Sequence, residues 1–253
     1  MLLWDCGVET LCGPTKKSFL LLFYKKEALS FLLSATMIPP ILYQSTHLLI
    51  IDKPAGLACH AGPRGGSSVE DFFPQWRRGH DGPWLAHRLD ADTAGCLAIA
   101  RRKTTLIALQ KAFAAHAVRK IYWAVVQGVP KASGGTIAVP LRKQTDPTGW
   151  RMVGGPGGQP AVTDWRVIAA AQGRAVLELS PRTGRTHQLR VHCAGMGHPI
   201  IGDPVYGKAG RGLCLLARRL MLPLDPLVTA VAAVPDHLRA ALSGVDFDRL
   251  EPG

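Results

Sequence analysis

Acidic residues and paired cysteines are what this sequence has little of. Eighteen Asp and Glu stand against thirty Lys and Arg, leaving a formal net charge of +12. That balance disfavours a cationic partner and favours a polyanion, nucleic acid first, with anionic metabolites or a membrane surface as alternatives. The six cysteines (Cys6, Cys12, Cys59, Cys96, Cys193 and Cys214) form no C-x-x-C pair. A disulfide-knotted miniprotein is thereby set aside, and free thiols in a reducing cytoplasm are the simpler reading. No charge-free apolar run approaches the ~18 residues of a membrane-spanning helix. With 47% hydrophobic and 19% charged residues over 253 positions, the chain is neither disordered by composition nor short of core material.

Residues 1–36 differ in character from the rest. Lys16-Lys17 before the apolar run Phe19 to Tyr24 resembles the start of a signal peptide, but Lys25, Lys26 and Glu27 interrupt it. The expectation is an extension outside the fold, or a true start at Met37, followed by one domain over 37–253. Strands are expected at Ile41–Tyr43, His47–Ile51, Cys96–Ala100, Lys120–Gln127, Thr163–Ala170 and Ala175–Leu179. Helices are expected after Ser67 or Ser68, after Thr104 or Thr105, over Thr186–Met196 and over Pro235–Leu242. Asp146–Pro160, rich in Gly and Pro, is expected to be a mobile loop. Many strands with few helices, in no regular alternation, predict an α+β domain.

Three segments carry more polar chemistry than packing requires. His87-Arg88-Leu89-Asp90-Ala91-Asp92-Thr93-Ala94-Gly95 precedes an apolar strand, and taken alone it reads as a turn bonded to its own aspartates. In Arg119–Gly128, Tyr122 shares a strand face with Ala124 and Val126. It is either a core aromatic or a ring offered to a planar ligand. In Thr183–His192, a helix starting near Arg185 puts Leu189, Cys193 and Met196 on one stripe with Arg185 turned inward. A buried cation there needs a carboxylate from elsewhere, and Asp90 is the candidate.

These segments resemble, in order and spacing, the signature motifs of the RluA-type pseudouridine synthases: His87-Arg88-Leu89-Asp90 with Thr93 and Gly95, Lys120-x-Tyr122-x-Ala124, and Thr183–His192. Gly197-His198-Pro199-Ile200-x-Gly202-Asp203-x-x-Tyr206 and Lys53-Pro54-x-Gly56 are similar to the family too. The likeness spans roughly residues 41–222. Two positions depart from it: Ala94 where serine is usual, and Leu216 where histidine is frequent. The resemblance implies the pseudouridine synthase fold, a mainly antiparallel or mixed central sheet flanked by helices and loops around a cleft; no separate S4-like domain is expected beside it. It implies isomerisation of uridines in structured rRNA or tRNA after base flipping, with no cofactor and no metal, by a cytoplasmic, non-membrane protein expected to be a monomer.

By the same resemblance Asp90 is the reacting carboxylate, Tyr122 stacks on the base and helps remove a proton, and Arg185 pairs with Asp90. Arg88, with His87, fills the place the base vacates. Thr93, His187, Gln188 and Arg190 are carried over as substrate-binding. Two rivals remain in view. A metal hydrolase built on His87, His187, His192 and Cys193 is disfavoured, because His187 and His192 are five apart and no E-x-x-H or C-x-x-C supports it. A non-catalytic RNA-binding module would have no need of Asp90, Tyr122 and Arg185 together.

Overall fold

Seven successive apolar residues from Ala94 to Ala100 form a strand buried along its whole length, as expected of a strand covered on both faces. The computed structural model describes residues 38–62, 65–147 and 149–250, and the expected extension over 1–36 lies outside them. The chain divides into two units after Ile38, and the elements named here belong to the second. They run β1 (Ile41–Gln44), β2 (Leu48–Lys53), a 3-10 turn (Val69–Phe72) leading into α1 (Phe73–Trp76), β3 (Trp84–Leu85), β4 (Ala94–Ala100), α2 (Lys103–Ala114) and β5 (Arg119–Gln127). After these come β6 (Gly134–Ala138), β7 (Leu141–Asp146), β8 (Gly149–Gly154), β9 (Val162–Ala171), β10 (Arg174–Pro181) and α3 (Gln188–Gly195). The last elements are β11 (Leu215–Leu222), β12 (Val228–Val231), α4 (Asp236–Ala241) and a 3-10 turn at Phe247–Arg249.

Ten strands form one mixed sheet in the order β1-β2-β4-β11-β5-β10-β9-β6, with β12 beside β11 and β3 beside β4. The β4–β11 pairing is parallel and the other named pairings are antiparallel. The α+β class expected from the sequence is what the chain adopts. Gly95 is required where β4 meets β11, because its φ is 111° and a Cβ would collide with the Ala217 carbonyl. The two departures from the family pattern, Ala94 and Leu216, are register partners in that parallel ladder, and both are buried. An apolar pair thus stands where two polar residues are usual.

Two expectations are corrected and one strand is added. Asp146–Pro160 is not a loop throughout: β8 pairs with β7 from Asp146↔Gly149 to Leu141↔Gly154, in a two-stranded sheet of its own. The alternation of Trp150 and Met152 is a strand signal that the surrounding glycines mask. The helix expected from Thr186 begins at Gln188, because His187 adopts φ 53° and ψ 17°, a left-handed conformation that does not propagate a right-handed helix. The central strand β11, buried for most of its length, was not anticipated, since its Arg218-Arg219 pair interrupts the apolar pattern.

Candidate active site

The loop carrying Asp90 is held from beneath. Lys53, at the end of β2 and fully buried, donates from Nζ to the carbonyls of Pro54 (2.9 Å), Leu57 (2.7 Å) and Ala91 (2.8 Å). The Gly56 amide donates to the same Ala91 oxygen at 2.9 Å, and the Thr93 amide to Asp90 O at 3.1 Å. Leu89 is buried and exchanges hydrogen bonds with Cys59 Sγ. Burial pulls the Lys53 ammonium down to about 8, against the attraction of Cys59, Asp92 and Asp90. With three carbonyls around it and two carboxylates above, Lys53 fixes the backbone that presents Asp90.

The Asp90 carboxylate, 31% exposed, sits where two cavities meet. One, about 130 Å³, is lined by His87, Asp90, Thr93, Tyr122 and the Thr183–Arg190 segment. The other, about 860 Å³, opens toward the β7–β8 hairpin and is lined by Arg142, Lys143, Trp150 and Met152 as well as Asp90. All nine residues singled out from the sequence line the smaller cavity. Their roles there are not all as expected.

The arginine facing Asp90 is Arg190, not Arg185. Arg190 Nη1 lies 3.8 Å from Asp90 Oδ2, while its Nε and Nη2 donate in a fork to Asp203 at 2.8 and 2.7 Å. Asp203 is fully buried and also accepts from the Val205 and Tyr206 amides. Burial works against the Arg190 charge, but Asp203 and then Asp90 overcome it and hold the guanidinium above its usual range. Burial likewise pushes the Asp203 carboxyl up, and Arg190 with the two amides more than reverses this, leaving it below the usual value. Arg185 is exposed, and its Nε donates to the Pro160 carbonyl at 3.1 Å. The physical reason is the helix boundary: starting α3 at Gln188 takes Arg185 off the helix and leaves Arg190 facing inward.

Gln188, expected to bind substrate, is buried and committed to the protein. Its Nε2 donates to Val162 O and Thr163 Oγ1, and its Oε1 accepts from Thr183 Oγ1 and the Arg185 amide. It clamps the Thr183–Arg185 loop, so its amide has nothing left to offer a ligand. His87, expected in the wedge with Arg88, has its Nε2 occupied by the Ala98 amide at 3.0 Å and its ring against Phe113. Burial, with Lys120 nearby, lowers its imidazole to about 3, so it stays neutral. Arg88 is exposed on the rim, where its Nη2 donates to Thr186 Oγ1 at 3.0 Å. Thr93 is buried at the base of the turn.

Tyr122 is presented by β5, between Leu179 of β10 and Ala217 of β11. Burial first, then the nearby Asp90, raises its phenol above the ordinary value, so it stays protonated. His187 Nε2 is 3.9 Å from Asp90 Oδ2, and its Nδ1 bonds the Tyr206 hydroxyl at 2.9 Å. Trp150, 48% exposed, stacks on the His187 ring at 5.4 Å. His192 has both nitrogens engaged, with Thr163 Oγ1 and Val139 O. No group of three or more His, Cys, Asp or Glu side chains forms a metal-ligand set among the described residues. No helix among them is long and apolar enough to cross a membrane.

Sequence reasoning missed the structural parts of Lys53, Asp203, Tyr206 and Trp150. The first three stood in noticed motifs, but nothing local shows that Asp203 meets Arg190 or that Lys53 reaches Ala91.

Comparison with known proteins places this geometry. Residues 47–195 match a family model described as RNA pseudouridylate synthase. An uncharacterized RNA pseudouridine synthase of Zymomonas mobilis is 43% identical over 176 residues, 66% of this chain and 78% of that protein. The ribosomal large subunit pseudouridine synthase D of the same organism is 33% identical, covering 84% of this chain and 69% of its own length. Among solved structures, human RNA pseudouridylate synthase domain containing 4 superposes with a TM-score of 0.68 at 28% identity, over 87% of this chain and 96% of that one.

Proposed function

This chain belongs to the RNA pseudouridylate synthase family, RluA type, and from that premise we propose that Asp90 is the carboxylate that reacts with the target uridine. The isomerisation breaks the N1–C1′ glycosidic bond, turns the uracil and joins C5 to C1′. C5 loses a proton and N1 gains one, so atoms and electrons balance without cofactor, metal or redox partner. The observation that carries the reading is the placement of Asp90: partly exposed at the junction of two cavities, facing a guanidinium that Asp203 holds in place.

In this reading Arg190 steadies the negative charge of Asp90 from 3.8 Å without closing a hydrogen bond on it, which leaves both carboxylate oxygens for the nucleotide. Arg190 thus takes the part that the sequence assigned to Arg185. Tyr122 offers its ring to the uracil as a neutral phenol, so it enters the reaction as a stacking surface and hydrogen-bond donor before any proton removal. Arg88 on the rim swings into the space left by the extruded base, giving up its bond to Thr186. A flipped base costs a few kcal/mol of stacking, which such contacts offset.

The ribosomal large subunit named in several relatives makes large-subunit rRNA the first substrate to test, with tRNA second. A cytoplasmic monomer is the accompanying reading, its reducing compartment supported by the buried free thiols of Cys59, Cys96, Cys193 and Cys214. The test uses unmodified rRNA and tRNA transcripts carrying tritium at uridine C5. Wild-type protein should release tritium, whereas Asp90→Ala should bind the same RNA comparably and release none. An Asp90→Ala protein that isomerises at the wild-type rate refutes the assignment.

A further inference from the structure

Cations in the interior of this molecule have partners. Arg190 has Asp203, Lys53 has three carbonyls, and Arg101 donates to the carbonyls of Trp76 and Ser45. Lys120 is different. Its side chain is half-buried on β5, and among the described residues no carboxylate, carbonyl or hydroxyl bonds or ion-pairs with its ammonium. The ammonium is not among the buried polar atoms left without a partner, so it meets solvent in the cavities that Lys120 lines, where an anionic ligand can supply a counter-charge.

Lys120 also stands at a junction. It lines the small cavity with Asp90 and Tyr122, and it lines a second groove of about 530 Å³ that leads away past His116, Arg119 and Arg182. Asp164 lies in that groove too, but its carboxylate is taken by the Arg182 fork at 2.6 and 2.9 Å and by Thr136 Oγ1 at 2.7 Å. Gly184, in the Thr183–Arg185 loop, lies beside the ammonium: a Cβ added there would stand 3.7 Å from Nζ. No side chain at that position covers the charge.

We propose that Lys120 binds a backbone phosphate of the RNA next to the reacting uridine, and that the strand runs on along the groove past Arg119 and His116. This rests on the reading of RNA as substrate. It adds a contact that Asp90 chemistry does not require, and a direction in which the strand leaves the cavity.

The experiment measures binding of unmodified large-subunit rRNA transcript across a range of KCl concentrations, beside tritium release from the same RNA. Lys120→Met should weaken binding about tenfold and lower the slope of log K against log salt by ~0.7 to 0.9, the signature of one lost phosphate contact. Lys120→Arg should restore most of both. Gly184→Asp tests the same site without touching the lysine: it sets an internal carboxylate against Nζ and should weaken binding similarly. Unchanged affinity and slope in folded Lys120→Met, or in Gly184→Asp should the first variant not fold, overturns the phosphate site. A wild type that binds with a Lys120-dependent slope but releases no tritium refutes the isomerase reading and leaves this proposal standing. A wild type that binds no RNA removes both.

Discussion

Arg190 and Lys120 line the same cavity under opposite conditions. Arg190, 3% exposed, has two carboxylates within 4 Å, one of them fully buried and in a fork. Lys120, carried by β5, has none among the described residues. The difference separates two uses of positive charge. A buried cation whose hydrogen bonds are spent on the protein is architecture: it sets where Asp90 stands and what field it feels. A cation left without a partner in the same cavity is reserved for something that arrives.

The sharpest way to break this comparison is to remove the partner of the architectural cation. Asp203→Ala leaves Arg190 buried with only the more distant Asp90, and it should cost about 3–5 kcal/mol of stability, read as a lowered melting temperature. Activity should fall with it, since Arg190 is then free to close on Asp90. A melting temperature within a degree of wild type would show that the fork is ornamental. The same pair predicts a pH response: Asp203 is lowered on folding, so its contribution is full above the unfolded carboxylate pKa and is lost as pH falls through the folded one.

His87 sharpens the comparison from the neutral side. Its folded pKa of about 3 lies below the unfolded value near 6.5, so the unfolded chain binds the extra proton first. Stability should therefore be full above about pH 6.5 and fall as the pH drops, by about 3 kcal/mol at about pH 4. His87→Phe should flatten that portion of the curve of melting temperature against pH. A slope unchanged by the substitution would mean the histidine is charged in the folded protein. Smallest is Arg185→Ala. With its side chain exposed and bonded to a single carbonyl, stability should move by no more than about 0.5 kcal/mol. A loss as large as that of Asp203→Ala would restore Arg185 to the architectural role.

Much of the fold was legible because it rests on local pattern. The unbroken apolar run Ala94–Ala100 and the strand Arg119–Gln127 emerged close to their expected limits. β11 was hidden for the opposite reason: it lies in the middle of the sheet, yet Arg218 and Arg219 sit in it, and only the neighbouring strands show how such residues are housed. The hairpin of β7 and β8 was hidden because glycines serve turns and strand ends alike.

The sequence alone determined that a basic α+β chain brings an aspartate loop, a strand tyrosine and an arginine-bearing turn to one place, because each segment carries its own residue pattern. Which arginine meets the aspartate was decided only in three dimensions. A left-handed residue at His187 delays the helix to Gln188, which leaves Arg185 outside the helix and exposed while Arg190, inside it, is buried. Pairing of charges is a property of distance through space, and Arg190 finds Asp90 a hundred residues away because the sheet carries both to the same end.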